Sequence, residues 1–205
     1  MLVQPRSIDD LLKQINPTVD LAYQEKMVHP FPDTEVIDRI SFILHKCTDK
    51  IVMDIGCGGP LHGQILKVAK RAYGIDRVKT EYPDVVQTDI SQGVLAPLIP
   101  PDVELILCCE IVEHLSNPGI FLDSLKQFEA EKLFSVPNAF GKTQPHWIIK
   151  GKENVNSEHV AWYSWYTFQN LLKRHGYKIK DFYWYDNPDS IQQHGLNEGL
   201  VFVTI

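Results

Sequence analysis

Apolar residues of this chain fall into short runs separated by polar turns and by stretches with helical spacing. Residues 51–53 are all apolar and are closed by Asp54, which is typical of a short strand buried on both faces. Similar runs predict further strands over residues 71–76, 84–90, 103–109, 133–138, 177–185 and 200–205. Ser164 is a good N-cap for a helix that Gly176 would end. The pattern predicts an α/β protein.

A glycine-rich turn follows the first predicted strand. Gly56, Gly58 and Gly59 leave no Cβ where the backbone would approach a nucleoside cofactor. Pro60 suits the first turn of the following helix, where a missing N–H has no cost. A dinucleotide-binding turn would carry its third glycine where this chain has Leu61. The turn therefore favours a nucleoside cofactor other than a dinucleotide.

Acidic residues come at or near the ends of the next predicted strands. Asp76 follows Asp54 after 22 residues, close to the interval at which nucleotide-binding α/β folds place a carboxylate for ribose hydroxyls. Asp89 and Glu110 come at the ends of the third and fourth predicted strands. Any one of these acids could simply solvate a strand end. Their occurrence in this order favours a cofactor site at the carboxyl edge of the sheet.

The glycine turn resembles the first motif of the class I S-adenosylmethionine (SAM) methyltransferases, and the resemblance extends over residues 35–205. It implies a Rossmann-like three-layer α/β/α sandwich with a mostly parallel seven-stranded sheet and an antiparallel last strand. It also implies a single domain over residues 1–205, with a helical lid at 1–35 and a SAM-binding core at 36–205. The implied SAM contacts are Asp54, Gly56, Cys57, Gly58, Gly59, Asp76, Asp89, Ile90 and Glu110. In one departure, Pro60 stands where the family often has its last glycine.

Residues 109–115 are the predicted catalytic segment. If the chain is helical there, Glu110, Glu113 and His114 share one face. In methyl transfer the cofactor carries the difficult chemistry, and the protein must align and deprotonate the acceptor. Histidine suits the second task because its pKa lies near 6.5. His114 is the first candidate base and His159 the second, with Glu113 beside them; alternatively, these side chains only stabilise the fold.

Two carboxylates and two imidazoles form a hard ligand set that suits Mg²⁺ or Mn²⁺. The E-x-x-E-H pattern with a distant histidine resembles the metal-dependent small-RNA 3′-end 2′-O-methyltransferases, which implies Glu110, Glu113, His114 and His159 as ligands. The same signature resembles ubiquinone-pathway O-methyltransferases and enzymes acting on other small metabolites. Three functions therefore stay open: O-methylation of a small metabolite or sugar-like acceptor, methylation of an RNA end, and a non-catalytic SAM-binding partner subunit.

Composition bears on partners and location. The net charge of −6 argues against a long nucleic acid, which needs a basic protein face. Lys142, Lys150 and Lys152 are a local exception that could meet an anionic substrate or only solvate a loop. Without a signal-like start or 18 consecutive apolar residues, we expect a cytoplasmic protein without a membrane span. The four cysteines have no zinc-ligand spacing.

Overall fold

The structure is a computed structural model that describes residues 27–93, 95–186 and 194–205. Of the predicted helical lid at 1–35, residues 1–26 fall outside these ranges. Within the described ranges, no helix has the length and apolar character needed to cross a membrane.

Eight strands of the described chain form one sheet. In chain order they are β1 (Val36–Ile37), β2 (Ile51–Ile55), β3 (Arg71–Asp76), β4 (Val85–Gln87), β5 (Leu105–Cys109), β6 (Glu131–Pro137), β7 (Ile179–Tyr185) and β8 (Gly199–Thr204). Their order across the sheet is β1-β7-β8-β6-β5-β2-β3-β4. Among them only β8 runs antiparallel to its neighbours, β6 and β7. The prediction of a mostly parallel sheet with an antiparallel last strand is confirmed.

The sheet has one strand more than the predicted seven. The additional strand, β1, contains two residues, Val36 and Ile37, which pair in parallel with Trp184 and Tyr185. Two residues are too few to show the alternation of apolar and polar positions by which a strand is recognised in sequence. The third predicted strand is also shorter than expected, because only Val85–Gln87 of residues 84–90 pair with β3.

In the described ranges, five α-helices and one 3₁₀ turn accompany these strands. They are α1 (Arg39–Cys47), α2 (Leu61–Val68), the 3₁₀ turn (Val112–His114), α3 (Pro118–Leu125), α4 (Thr143–Ile148) and α5 (Trp165–Arg174). The predicted cap of α5 is confirmed, since Ser164 accepts a hydrogen bond from the Thr167 N–H in a capping box. Gly176 follows α5 with φ +80°, the left-handed conformation that ends many helices.

Buried residues pack on both faces of the sheet, which gives three layers. Along β5, Leu105 and Leu107 belong to one core cluster and Ile106 and Cys108 to the other, as the two-residue period of a strand requires. Helices α1 and α2 contribute to the first cluster, and α3 and α5 to the second. The predicted α/β/α arrangement is confirmed, and it places the carboxyl ends of the parallel strands along one edge.

Candidate active site

A cavity of about 570 Å³ opens where β2, β3 and β5 end, the edge at which open parallel sheets bind ligands. Most of the predicted cofactor contacts line this cavity. They are Gly56, Gly58, Gly59, Asp76, Asp89, Ile90 and Glu110. Asp54, in β2, and Cys57, in the turn itself, are buried and do not line the cavity. A second cavity of about 850 Å³ lies at the amino ends of β5 and β6, away from every predicted site residue.

The glycine turn is shaped by close contacts that exclude larger residues. Gly56 has φ +83°, and a Cβ there would lie 2.7 Å from Cδ1 of Ile111. A Cβ on Gly58 would lie 2.9 Å from a carboxylate oxygen of Asp76. Around Gly59 there is nothing within 4 Å, so this residue leaves space towards the cavity. Glycine at the first two positions lets the backbone lie against its neighbours.

Two predicted carboxylates on the cavity wall are already oriented by backbone donors. Asp76 accepts the N–H of Gly58 at 2.6 Å and that of Val78 at 2.7 Å. Asp89 accepts the N–H of Ser91 at 2.8 Å, and this hydrogen bond lowers the pKa of Asp89. Each carboxylate oxygen can accept more than one hydrogen bond. Both side chains therefore have fixed positions and spare acceptor capacity towards the cavity.

Beneath the turn, Asp54 is hydrogen-bonded to a residue that the sequence analysis did not identify. Its Oδ2 lies 2.9 Å from Nδ1 of His62, the second residue of α2, and both side chains are buried. Burial raises the pKa of Asp54, although the hydrogen bond to His62 opposes that effect. Burial also raises the pKa of Cys57 to about 12, so its thiol stays protonated at neutral pH. Nothing in the pattern of apolar and polar residues indicated a role for His62.

Glu110 does not lie on a helical face with Glu113 and His114, because its φ of +54° breaks the helical path before the 3₁₀ turn. Its Oε1 accepts three hydrogen bonds, each from a different part of the fold. The donors are Nη1 of Arg39 at 2.9 Å, Oγ of Ser135 at 2.8 Å and the hydroxyl of Tyr185 at 3.0 Å. The sequence analysis identified none of these three partners.

The other three predicted metal ligands form a cluster beside the cavity. Glu113, His114 and His159 each place one ligand atom within 4.8 Å of the other two. The imidazole rings of the histidines are perpendicular, with centroids 4.6 Å apart, and Nε2 of His159 lies 4.0 Å from Oε1 of Glu113. The main chain supports this arrangement, since the Val160 N–H donates to the Glu113 carbonyl at 2.9 Å.

Glu113 is the unusual member of the cluster. Its exposed fraction is 1%, and among the described residues neither of its carboxylate oxygens has a hydrogen-bond partner. Burial, followed by the charge of Glu110, raises the pKa of Glu113 to about 8. Burial and then the charge of His114 lower the pKa of His159, so this imidazole is neutral at pH 7. A buried, unpaired carboxylate next to two imidazoles is what a bound divalent cation would satisfy.

The predicted four-residue metal set is therefore present in part. The structure brings Glu113, His114 and His159 together, while Glu110, within the part of the chain that is described, lies outside the cluster. One carboxylate oxygen and two imidazole nitrogens fit Mn²⁺ better than Mg²⁺, because Mg²⁺ prefers oxygen ligands, and they leave coordination positions for water or substrate oxygens.

No protein-family model matches the sequence, and no curated protein matches it significantly. Solved structures do resemble the fold. The small RNA methyltransferase HEN1 has a TM-score of 0.62 at 15% identity, over 86% of this chain and 26% of that one. The methyltransferase domain of a bacterial Hen1 protein has a TM-score of 0.58 at 17% identity, over 80% of this chain and 94% of that one.

A third structure of the same fold has a small-molecule substrate. It is the 1,6-didemethyltoxoflavin-N1-methyltransferase of Burkholderia thailandensis, with bound 1,6-didemethyltoxoflavin and S-adenosylhomocysteine. Its TM-score is 0.58 at 16% identity, over 80% of this chain and 75% of that one. Together with the strand order and the glycine turn, these likenesses show that the chain has the class I fold of the SAM-dependent methyltransferases.

Proposed function

We propose that this protein is a SAM-dependent methyltransferase that transfers a methyl group to a hydroxyl of a small metabolite or sugar-like acceptor. The observation that carries this proposal is the cluster of Glu113, His114 and His159. It lies beside the cavity that the glycine turn lines. The cofactor contacts alone would fit any reaction of this fold. A site that can hold a divalent cation beside a neutral imidazole favours oxygen as the methylated atom, because it suits binding and deprotonation of a hydroxyl.

SAM would occupy the 570 Å³ cavity. Asp76 would accept hydrogen bonds from the ribose hydroxyls, and Asp89 from the adenine amino group. Ile90, which is buried at the cavity wall, would lie against the adenine ring. When bound, SAM supplies a methyl group on a positively charged sulfur, already activated for displacement. The glycine turn would let the backbone approach the amino-acid end of the cofactor.

The acceptor would bind between this cavity and the cluster. Alignment of the hydroxyl oxygen with the methyl carbon is the main task of the protein in such a displacement, and alignment can contribute about 7 to 11 kcal/mol. Glu113, His114 and His159 would hold a divalent cation, which supplies Lewis-acid activation of a hydroxyl when bound. Without a cation, the neutral imidazole of His159 is able to accept the hydroxyl proton.

Calorimetric titration with S-adenosylhomocysteine tests the cofactor assignment. We expect the wild-type protein to bind it, and Asp76→Ala to bind it at least about tenfold more weakly because the ribose loses its acceptor. Asp102→Ala is the matched control, since Asp102 is an exposed aspartate at the opposite edge of the sheet. If the wild-type protein does not bind S-adenosylhomocysteine, the methyltransferase proposal is wrong.

Transfer of a labelled methyl group to acceptors with neighbouring hydroxyls tests the reaction. We expect a chelator to lower the rate of transfer and Mn²⁺ to restore it, because the cation would be removed from Glu113, His114 and His159 and then replaced. A protein that binds S-adenosylhomocysteine but transfers to no acceptor would instead be the non-catalytic partner subunit considered above.

A second candidate is 2′-O-methylation of the terminal ribose of an RNA. It is supported by the likeness in fold to two Hen1 structures and by the three clustered residues that match the ligand pattern. The net charge of −6 disfavours a long RNA contact but not the binding of a single end. A short RNA and its 2′-deoxy-terminated counterpart distinguish this function, because only the first has the hydroxyl to be methylated.

A further inference from the structure

The buried hydrogen bond between Asp54 and His62 spans the glycine turn. Asp54 lies in β2, His62 lies in the first turn of α2, and residues 56–60 form the connection between them. The distance from Asp54 Oδ2 to His62 Nδ1 is 2.9 Å. The exposed fractions are 3% for Asp54 and 0% for His62. The bond therefore joins the two elements that fix the ends of the turn, in an environment where hydrogen bonds are strong.

Stability of the core does not account for this pair. Removing a carboxylate and an imidazole from water is costly, and two apolar residues of similar size would often be as stable or more so. The second ring nitrogen of His62, Nε2, is buried and has no hydrogen-bond partner in the described ranges. Neither side chain lines the 570 Å³ cavity. Burial of the pair is thus unfavourable for stability, and the pair makes no direct contact with the cavity.

The pair and the turn pack against the same part of β3. Cε1 of His62 and Sγ of the turn residue Cys57 both lie against Gly74, at 3.1 Å and 2.5 Å from where its Cβ would be. The imidazole of His62 also packs edge-on against the ring of Tyr82, with centroids 5.0 Å apart. The amides of Gly56 and Cys57 donate to the Ile75 carbonyl. His62 is therefore packed at the strand that holds the turn.

We propose that His62, held by Asp54, is a positioning residue that keeps the turn in its cofactor-receptive conformation before any cofactor binds. The inference rests on the proposed function, because the ligand of the turn is taken to be SAM. A turn ordered in advance loses less conformational freedom when the ligand binds, which raises affinity without a new contact. Asp54 then acts on the cofactor through His62 and the turn and not by direct contact, which differs from the role that the family resemblance implies.

Two substitutions of His62 separate positioning from packing. His62→Leu removes the donor and keeps an apolar side chain, whereas His62→Asn places an amide N–H near the position of Nδ1. His45→Leu is the matched control, since His45 is an exposed histidine near the end of α1. The readouts are hydrogen exchange of the amides of residues 56–59 in ligand-free protein, and the Kd for S-adenosylhomocysteine.

For His62→Leu we expect faster exchange in residues 56–59 and a Kd weakened about tenfold, the effect of losing one buried hydrogen bond. For His62→Asn we expect both readouts to stay within about threefold of wild type, because the bond to Asp54 is rebuilt. His45→Leu should change neither. A His62→Leu protein with wild-type exchange and wild-type Kd, even with a lower Tm, would overturn the proposal.

A double variant, Asp54→Leu with His62→Leu, covers the case in which the single variant does not fold. Replacing both partners by apolar residues avoids an unpaired buried charge, and we expect the exchange of the turn to remain fast. Slow, wild-type exchange in the double variant would also overturn the proposal. Exchange is measured without a ligand, so it still tests the pair if the wild-type protein fails to bind S-adenosylhomocysteine, a result that would contradict only the proposed function.

Discussion

Glu110 and Glu113 are separated by two residues, and both carboxylates lie at the edge of the same sheet. They differ in the hydrogen bonds that their carboxylate oxygens accept. Oε1 of Glu110 accepts hydrogen bonds from Arg39, Ser135 and Tyr185. In the described part of the chain, neither oxygen of Glu113 accepts any. The difference arises from the backbone, since φ of +54° at Glu110 turns its side chain away from the face that carries Glu113.

The E-x-x-E-H motif places Glu110 and Glu113 in one set of metal ligands, but this comparison gives the two carboxylates different roles. A carboxylate with three donors is fixed by the protein and links three parts of the fold. A buried carboxylate without donors must gain a proton or a cation, because a buried charge without a partner is costly. Glu113 is therefore the carboxylate of the segment that is best suited to hold an added cation, and Glu110 the one that is best suited to anchor the wall of the cavity.

The largest expected effect is on cation binding. In a calorimetric titration with Mn²⁺, we expect Glu113→Gln to weaken binding by about 100-fold, the loss typical of removing one partner of a buried charge pair. Glu110→Gln should weaken it by less than about fivefold, because its charge acts from outside the cluster.

Circular dichroism of both variants checks that each is folded. If Glu110→Gln reduced Mn²⁺ binding as much as Glu113→Gln, Glu110 would have to move into the cluster when the cation binds. The four-residue set implied by the family resemblance would then describe the loaded protein.

An intermediate effect is expected on the pH dependence of stability, measured with a chelator present. The pKa of Glu113 is raised from 4.5 to about 8 in the folded chain. Between these pH values the folded chain holds a proton that the unfolded chain has released, so the free energy of unfolding should fall as the pH rises. Glu113→Gln removes this contribution, and it should stabilise the protein by about 1 to 3 kcal/mol at pH 8.

Urea unfolding of both proteins at pH 5 and pH 8 measures this difference. At pH 5 the carboxyl of Glu113 is protonated in the folded protein, so the two proteins should then be similar in stability. A Glu113→Gln variant that is equally destabilised at both pH values would mean that the carboxylate has a partner in solution, and the comparison with Glu110 would no longer hold.

The smallest effects are expected at the donors around Glu110. Arg39→Met should lower the free energy of unfolding by about 1 kcal/mol, since the ion pair is partly exposed. Tyr185→Phe should lower the free energy of unfolding by a similar amount or less. The guanidinium of Arg39 also lies over the Tyr185 ring, 5.0 Å from its centroid, so the double variant should not be additive.

Urea unfolding at pH 7 gives these values, and Mn²⁺ affinity should stay unchanged in both single variants. A loss of Mn²⁺ binding in Arg39→Met would show that the hydrogen bonds around Glu110 affect cation binding by Glu113, His114 and His159.

The parts of the site that the sequence predicts are those marked by local patterns. The glycine turn, Asp76 and Asp89 are recognised because each lies at or near the end of a predicted strand, and the carboxyl ends of parallel strands share one edge of the sheet. The N-cap role of Ser164 is also predicted from local sequence, and its hydrogen-bond partner Thr167 is only three residues away. Local spacing was sufficient in these cases because the interacting groups are close in sequence.

The parts that the sequence does not predict depend on distant residues or on one unusual dihedral angle. Tyr185 lies 75 positions from Glu110, and no periodicity connects them. The spacing of Glu110, Glu113 and His114 predicts a shared helical face, but a single residue with positive φ changes the direction of the first side chain. His62 is invisible for another reason: at a buried position of a helix, an apolar residue is the usual expectation.

The position of β8 in the sheet has a consequence for the order in which the protein assembles during synthesis. Residues 199–204 form β8, and β7 and β1 are joined to the rest of the sheet only through it. Since a chain emerges from the ribosome with its N-terminal part first, β2 to β6 and the glycine turn can pair while β8 is still being made. An isolated pair of short strands is marginally stable, so Tyr185 reaches Glu110 late. A nascent chain that stops before β8 would therefore contain the glycine turn without the hydrogen bond from Tyr185 to Glu110 beside it.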